Sequence, residues 1–195
     1  MSRIVAGPFN RVEGDLEITL ETGEDKVQRA EVNSPLYRGF ERILLGHKPM
    51  DALVYTPRIC GICSVTQSVA SARALADAMG LSMPKNGELC TNLVLASENI
   101  TDLITHFYLF FMPDFARDTY AGASWFGDIQ GRFKATAGSA ATQMLPARAD
   151  FLHLMGLMAG KWPHTLSLQP GGVAKAIEPK ERMRLLAIVA GFKRF

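Results

Sequence analysis

Apolar and polar residues change their period along this 195-residue chain, and the change divides it into two kinds of structure. Residues 15–22 read Asp-Leu-Glu-Ile-Thr-Leu-Glu-Thr and alternate strictly. Leu16, Ile18 and Leu20 then share one face, as in a half-buried strand. Gly23-Glu24-Asp25 supplies a turn and residues 26–33 read as the return strand, so a β-hairpin is expected near the N-terminus. From residue 37 the period lengthens. Phe40, Ile43 and Leu44 fit a short helix over 37–46, closed by Gly46. Val65, Val69, Ala72, Ala76 and Met79 recur at helical spacing up to Gly80. The longest run, over residues 87–112, carries Leu89, Leu93, Ala96, Ile100, Leu103, Phe107 and Phe111 as one stripe. Asn86 is its expected N-cap and Pro113 its expected stop. Its last turns, Phe107 to Met112, are apolar nearly all round, which implies burial on several sides.

Residues 116–140 show no strong period and read as loop and weak helix. Residues 146–158 are helical again, with Phe151, Leu154, Met155 and Met158 together. Residues 160–172 are rich in turn formers. The last helix, 179–190, turns Met183, Leu186 and Val189 inward. The fold class expected is mainly α with a small N-terminal β-hairpin (α+β). One domain spans 1–195, with a hairpin region at 1–36 and a helical region at 37–195.

Composition narrows the function. The chain is 48% hydrophobic and 21% charged, an ordinary globular balance. Its 21 basic and 19 acidic side chains leave a formal charge of +2, so there is no electrostatic case for nucleic acid or an anionic membrane. No window reaches the roughly 18 uninterrupted apolar residues of a membrane span. The N-terminus lacks the apolar core of a signal peptide. Three cysteines, an odd number, argue against a disulfide framework. A reduced, cytoplasmic chain is expected.

The candidate chemistry sits in Arg58-Ile-Cys-Gly-Ile-Cys63, a Cys-x-x-Cys on the turn that feeds a helix. That spacing suits a metal site or a redox pair. The positive end of the helix dipole is expected to lower the thiol pKa, and Gly61 to let both sulfurs point the same way. A zinc knuckle would bring a second pair, which is missing, and a thioredoxin-like motif would follow a strand. Arg58 places a fixed positive charge beside the sulfurs, although it also reads as a plain surface arginine. Cys90, inside the long helix, reads as an ordinary small residue. His47, His106, His153 and His164 show no zinc-helix spacing with one another. His164, after Pro163 in a turn, is the best placed of them for a polar task. Glu13, beside Gly14, reads as a solvated loop residue. Glu41 reads as solvated or as pointing into a polar pocket.

Four ordered blocks make these scattered features converge. They are Arg11-Val-Glu-Gly14, Tyr37-Arg-Gly-Phe-Glu41 with Asp51-Ala52, Arg58-Ile-Cys-Gly-Ile-Cys63, and Gly160-Lys-Trp-Pro-His164 with Pro170-Gly-Gly-Val173. In that order they resemble the N-terminal part of nickel–iron hydrogenase large subunits. The resemblance implies Cys60 as a terminal nickel ligand and Cys63 as the sulfur bridging nickel and iron. It implies Glu41 as a ligand, direct or through water, of a magnesium-type ion (Mg2+), and Glu13 as a proton relay. The expected cofactor is a Ni–Fe centre whose iron carries CO and cyanide. The expected partner is an iron–sulfur small subunit.

Two departures from the family pattern matter. Gln67 stands where most catalytic members have histidine, which resembles the H2-sensing, regulatory branch and implies a histidine kinase as signalling partner. The family's second Cys-x-x-Cys and last magnesium ligand lie near the C-terminus of a longer chain and are missing here. The expectation is therefore a fragment or truncated product, or a chain whose remaining ligands another polypeptide, a separate C-terminal half, supplies. The alternatives are an inactive structural or assembly module and a protein that binds zinc through two copies of Cys60 and Cys63. The related quinone-side subunit of respiratory complex I lacks these cysteines.

Overall fold

The computed structural model describes residues 2–9 and 14–195. They form two compact units, one up to Ile43 and one from Leu44. The first is built on an antiparallel sheet in the order β1 (Ser2–Phe9), β2 (Leu16–Gly23), β3 (Lys26–Asn33). The expected hairpin is its β2–β3 half, paired from Glu17 with Asn33 to Gly23 with Lys26. The strand β1 was not expected. Its stretch Ile4-Val5-Ala6 shows no alternation, and pairing along β2, from Ser2 with Thr22 to Phe9 with Leu16, makes it a strand. A single helical turn, α1 (Phe40–Ile43), closes this unit, shorter than the helix expected over 37–46.

The second unit is helical. After α2 (Ala52–Tyr55) and a 3-10 turn at Thr56–Arg58 come α3 (Ser64–Ala78) and α4 (Lys85–Thr105). Helix α3 stops where expected: Gly80 takes φ 65° and the Leu81 N–H returns to the Ala76 carbonyl at 2.8 Å. Helix α4 begins two residues earlier than expected, with extended Pro84 rather than Asn86 at its N-cap. Pro113 does not end the helical path. The chain widens into a π-helical stretch at His106–Phe111 and runs on into α5 (Met112–Phe115), where a proline in the first turn is tolerated.

Helix α6 (Phe126–Phe133) lies inside the stretch read as loop and weak helix. Helix α7 (Ser139–Ala159) starts seven residues before Pro146, which sits within it. Buried Ala140 and Met144 anchor those early turns, so packing outweighs the hydrogen bond that Pro146 cannot make. A short ribbon, β4 (Leu168–Gln169) with β5 (Gly172–Val173), precedes α8 (Pro179–Phe192).

The core joins Val65 and Val69 of α3, Val94 of α4, Phe151, Leu154, Met155 and Met158 of α7, Leu168 and Leu185. One close approach explains the Pro170-Gly-Gly-Val173 block. A Cβ on Gly87, in the first turn of α4, would lie 2.8 Å from the Gly171 carbonyl oxygen and 3.2 Å from the Gly172 Cα. The ribbon and α4 therefore pack backbone on backbone, which needs glycine.

The expected inward stripe of α4 is outward. Leu89, Leu93, Ile100, Leu103, Phe107 and Phe111 are exposed, while Thr91, Val94, Ser97, Glu98 and Thr101 are buried. Thr91 Oγ1 donates to the Met83 sulfur at 3.8 Å, and the Ser97 and Thr101 hydroxyls are satisfied within the helix. Ser97 donates to the Leu93 carbonyl at 2.8 Å and Thr101 to the Ser97 carbonyl at 2.7 Å. In α8 the same reversal holds: Met183, Leu186 and Val189 are exposed and Leu185 is buried. Periodicity locates an apolar face, and here those faces are not the ones the unit's own helices cover.

Candidate metal centre

The two cysteines lie on the turn between the Thr56–Arg58 segment and α3, and Cys63 is the N-cap of α3. Cys60 is 5% exposed and Cys63 half-buried. The Cys63 N–H donates to the Cys60 sulfur at 3.3 Å, which folds the pair onto one side of the turn. One helical turn on, the Gln67 Nε2 lies 3.8 Å from the Cys63 sulfur. Thr56 Oγ1 donates to the Gln67 carbonyl at 3.3 Å and so ties the preceding turn to α3. Gly61 does not take a positive φ and a Cβ there would meet open space, so this turn makes no use of glycine's freedom.

Burial pushes the Cys63 thiol up from 9.0 to about 11; the hydrogen bond with Cys60 adds to this, the Gln67 amide pulls it back, and the charges of Cys60 and Glu98 raise it further. This reverses the expected lowering by the helix dipole. Burial of the sulfur is the main physical reason, and α4 adds a smaller one. The side chain of Glu98, 2% exposed, reaches the α3 N-terminus and occupies the N–H groups that would otherwise stabilise a thiolate. Its Oε2 accepts from the Val65 N–H at 2.9 Å, Ser64 Oγ at 3.3 Å and the Trp162 indole N–H at 2.8 Å. Its Oε1 accepts from the Thr66 N–H at 2.9 Å and Thr66 Oγ1 at 3.3 Å. Glu98 was missed in the sequence. The signal was there as a polar stripe, Thr91, Ser97, Glu98 and Thr101, at helical spacing opposite the leucines.

The Gly160–His164 block closes the arrangement. His164, at φ 63°, donates its backbone N–H to Ser64 Oγ at 3.2 Å. Its ring Nδ1 lies 2.9 Å from the Pro57 carbonyl oxygen, three residues before Cys60. The Arg148 guanidinium stacks over the Trp162 ring at 5.3 Å and its Nε donates to Thr105 Oγ1 at 2.9 Å. The start of α3, Glu98 of α4 and the Trp162–His164 turn thus meet beside the cysteine turn, and Arg148 of α7 braces Trp162.

Arg58 is exposed at the end of its 3-10 turn. Glu41 is exposed in α1, within the first unit. Glu13 lies outside the described residues. Cys90 lines an apolar groove of about 630 Å³ between α4 and α8.

Two neighbouring sulfurs are the donors a soft transition ion selects, and the Gln67 amide is placed to donate to one of them. Among the described residues no group of three or more His, Cys, Asp or Glu could hold a metal. The cysteine pair therefore fits a nickel- or zinc-type ion as part of a ligand set.

Comparison with known proteins agrees with this chemistry. Residues 38–122 match the nickel-dependent hydrogenase family. The chain is 30% identical over 190 residues to the periplasmic [NiFeSe] hydrogenase large subunit of Desulfomicrobium baculatum, covering 89% of this chain and 36% of that one. It is 28% identical to the hydrogenase-2 large chain of Escherichia coli (strain K12), over 90% of this chain and 40% of the other. The structure of the reduced Ni-Fe-Se hydrogenase from D. vulgaris Hildenborough superposes with a TM-score of 0.77 at 28% identity, over all of this chain and 42% of that one. The chain thus spans well under half the length of these relatives.

Proposed function

We propose, from the premise that this chain belongs to the nickel-dependent hydrogenase family and matches the N-terminal part of its large subunit, that it supplies half of a nickel–iron site for H2 cleavage or H2 sensing. The observation that carries the reading is the pair Cys60 and Cys63, folded onto one turn with Gln67 beside the second sulfur. Cys60 and Cys63 would hold the nickel, and Cys63 would also hold an iron carrying CO and cyanide. A bound centre of this kind would supply heterolytic splitting of H2. The chain's own groups do the rest. Both thiols give up protons on metal binding, and Cys63 starts with its proton firmly held. The Gln67 amide, donating to the Cys63 sulfur, draws charge from it. Arg58 adds positive charge at the turn, Glu13 would relay a proton, and Glu41 would hold a magnesium-type ion (Mg2+) directly or through water. The remaining ligands come from a C-terminal half, and electrons pass to an iron–sulfur small subunit in a heterodimer.

No helix among the described residues is long and apolar enough to cross a membrane. A cytoplasmic location goes with the sensing form, in which a histidine kinase reads the signal. Gln67 supports that form. Replacing it, Gln67→His, is expected to raise H2 turnover severalfold in the assembled protein; unchanged turnover would remove the support for sensing.

The metal reading is tested by co-expressing this chain with a polypeptide bearing the second Cys-x-x-Cys. Purified protein is expected to contain nickel and iron and to exchange H2 with D2. A Cys63→Ser variant that keeps both metals would refute the ligand assignment. The same two-sulfur donor set also suits zinc shared between two copies of the chain. One zinc per dimer, with no nickel uptake and no H2/D2 exchange, would favour that second reading.

A further inference from the structure

The sulfur ligands sit on a turn, yet the group that holds the turn is a carboxyl 35 residues away in sequence. We infer that Glu98 is the positioning residue of the cysteine turn: it sets where the Cys60 and Cys63 sulfurs stand for the metal. The inference rests on the reading of Cys60 and Cys63 as metal ligands and goes beyond it.

The argument is geometric. A helix N-terminus leaves its first N–H groups without partners, and the N-cap side chain usually supplies one. Here the N-cap is Cys63, whose side chain makes no cap bond to the helix. Glu98 supplies the cap from a different helix. It takes the Val65 and Thr66 N–H groups at 2.9 Å each and the Ser64 and Thr66 hydroxyls at 3.3 Å each. The residues after Cys63 are thus pinned by one buried carboxyl, and Cys63 in turn donates its N–H to the Cys60 sulfur. Ser64 also receives the His164 N–H at 3.2 Å, and Glu98 receives the Trp162 indole at 2.8 Å. The Trp162–His164 turn is therefore locked to the cysteine turn through the same two residues. An amide in place of the carboxyl would present a donor to one set of donors, so the isosteric change is disruptive by polarity alone. Such outer partners of metal ligands commonly govern affinity by 10–100-fold.

The test uses the full chain in a Cys90→Ala background, reduced and oxygen-free. Two readouts follow the sulfurs rather than the fold: the rate at which a disulfide reagent modifies Cys63, and the nickel–thiolate absorption on titrating Ni2+. Glu98→Gln is expected to raise the Cys63 rate and weaken Ni2+ binding, each about tenfold. Glu98→Asp is expected to recover part of both. Trp162→Phe and Thr66→Val, which each remove one donor, move both readouts the same way by a smaller factor and replace Glu98→Gln if it does not fold. The inference is overturned if these variants keep both readouts within about twofold of the parent while Cys63→Ser abolishes Ni2+ binding. If instead Cys63→Ser binds Ni2+ as the parent does, the metal reading falls, and the Cys63 modification rate alone decides the role of Glu98.

Discussion

At the residue scale the two groups with the most consequence are Cys63 and the glycines. A thiol pushed up to about 11 holds its proton in the folded chain more tightly than in the unfolded one. Its contribution to stability is therefore fully present below about pH 9 and is lost as pH rises through about 11. The pH dependence of thiol alkylation, to which tyrosine does not contribute, should follow this ionisation in the metal-free Cys90→Ala chain. Replacing Cys60 by alanine should bring the Cys63 value down, and Gln67→Leu should push it higher, because Cys60 raises and Gln67 lowers it. Among the glycines, backbone atoms crowd Gly87 and nothing crowds Gly61. Gly87→Ala is expected to cost about 1–3 kcal/mol in thermal unfolding, as overpacking does, and Gly61→Ala to be near neutral.

Helices α4 and α8 make a second kind of claim, about elements. If periodicity alone set the core, Leu103 would be a core residue, yet it is 68% exposed. Leu103→Ala should change the chain's stability by less than about 0.5 kcal/mol, while Met155→Ala on α7, fully buried, should cost about 2–5 kcal/mol. Calorimetry on the two variants separates the pattern from the packing. Helix α8 is closed at its start by Glu181, whose carboxyl takes the Lys175 ammonium and the Glu178 N–H at 3.0 Å. The Lys175 hydrogen bond, then the Glu178 backbone, hold its pKa below the usual carboxyl range. Its contribution is present above pH 4.5 and fades as pH falls through the lowered value. Lys175→Met should therefore move the acid unfolding of α8, followed by circular dichroism, to higher pH.

Over the whole molecule the main feature is uncovered apolar surface. Leu89, Leu93, Ile100, Leu103, Phe107 and Phe111 stand exposed along one helical path, and Met183, Leu186 and Val189 along another. Grooves of about 630 Å³ and 380 Å³ run between α4, α7 and α8, lined mainly by such residues. Contiguous apolar surface of this kind binds hydrophobic dyes. The isolated chain is expected to enhance ANS fluorescence in its folded state, and Leu93→Glu with Leu186→Glu to reduce that signal without lowering helix content. A dye signal no higher than that of a compact soluble protein would contradict the exposure described.

Much of this was readable from local pattern. The β2–β3 hairpin follows from strict alternation, α3 from its spacing and Gly80, and the cysteine turn from two cysteines spaced at a helix start. These features depend on neighbours within a few residues, which periodicity and turn chemistry record. The family followed from four short blocks in order. What pattern could not supply was partnership between distant residues. Which face of α4 turns inward depends on α3 and α7, and the chosen face is the one bearing Thr91, Ser97, Glu98 and Thr101. Strand β1 exists because β2 offers it an edge, and the turns of α7 before Pro146 persist because Ala140 and Met144 are buried. The Cys63 thiol moved the other way for the same reason: local sequence placed its sulfur at the positive end of a helix, while tertiary packing buried it and brought the Glu98 carboxyl to the same helix start.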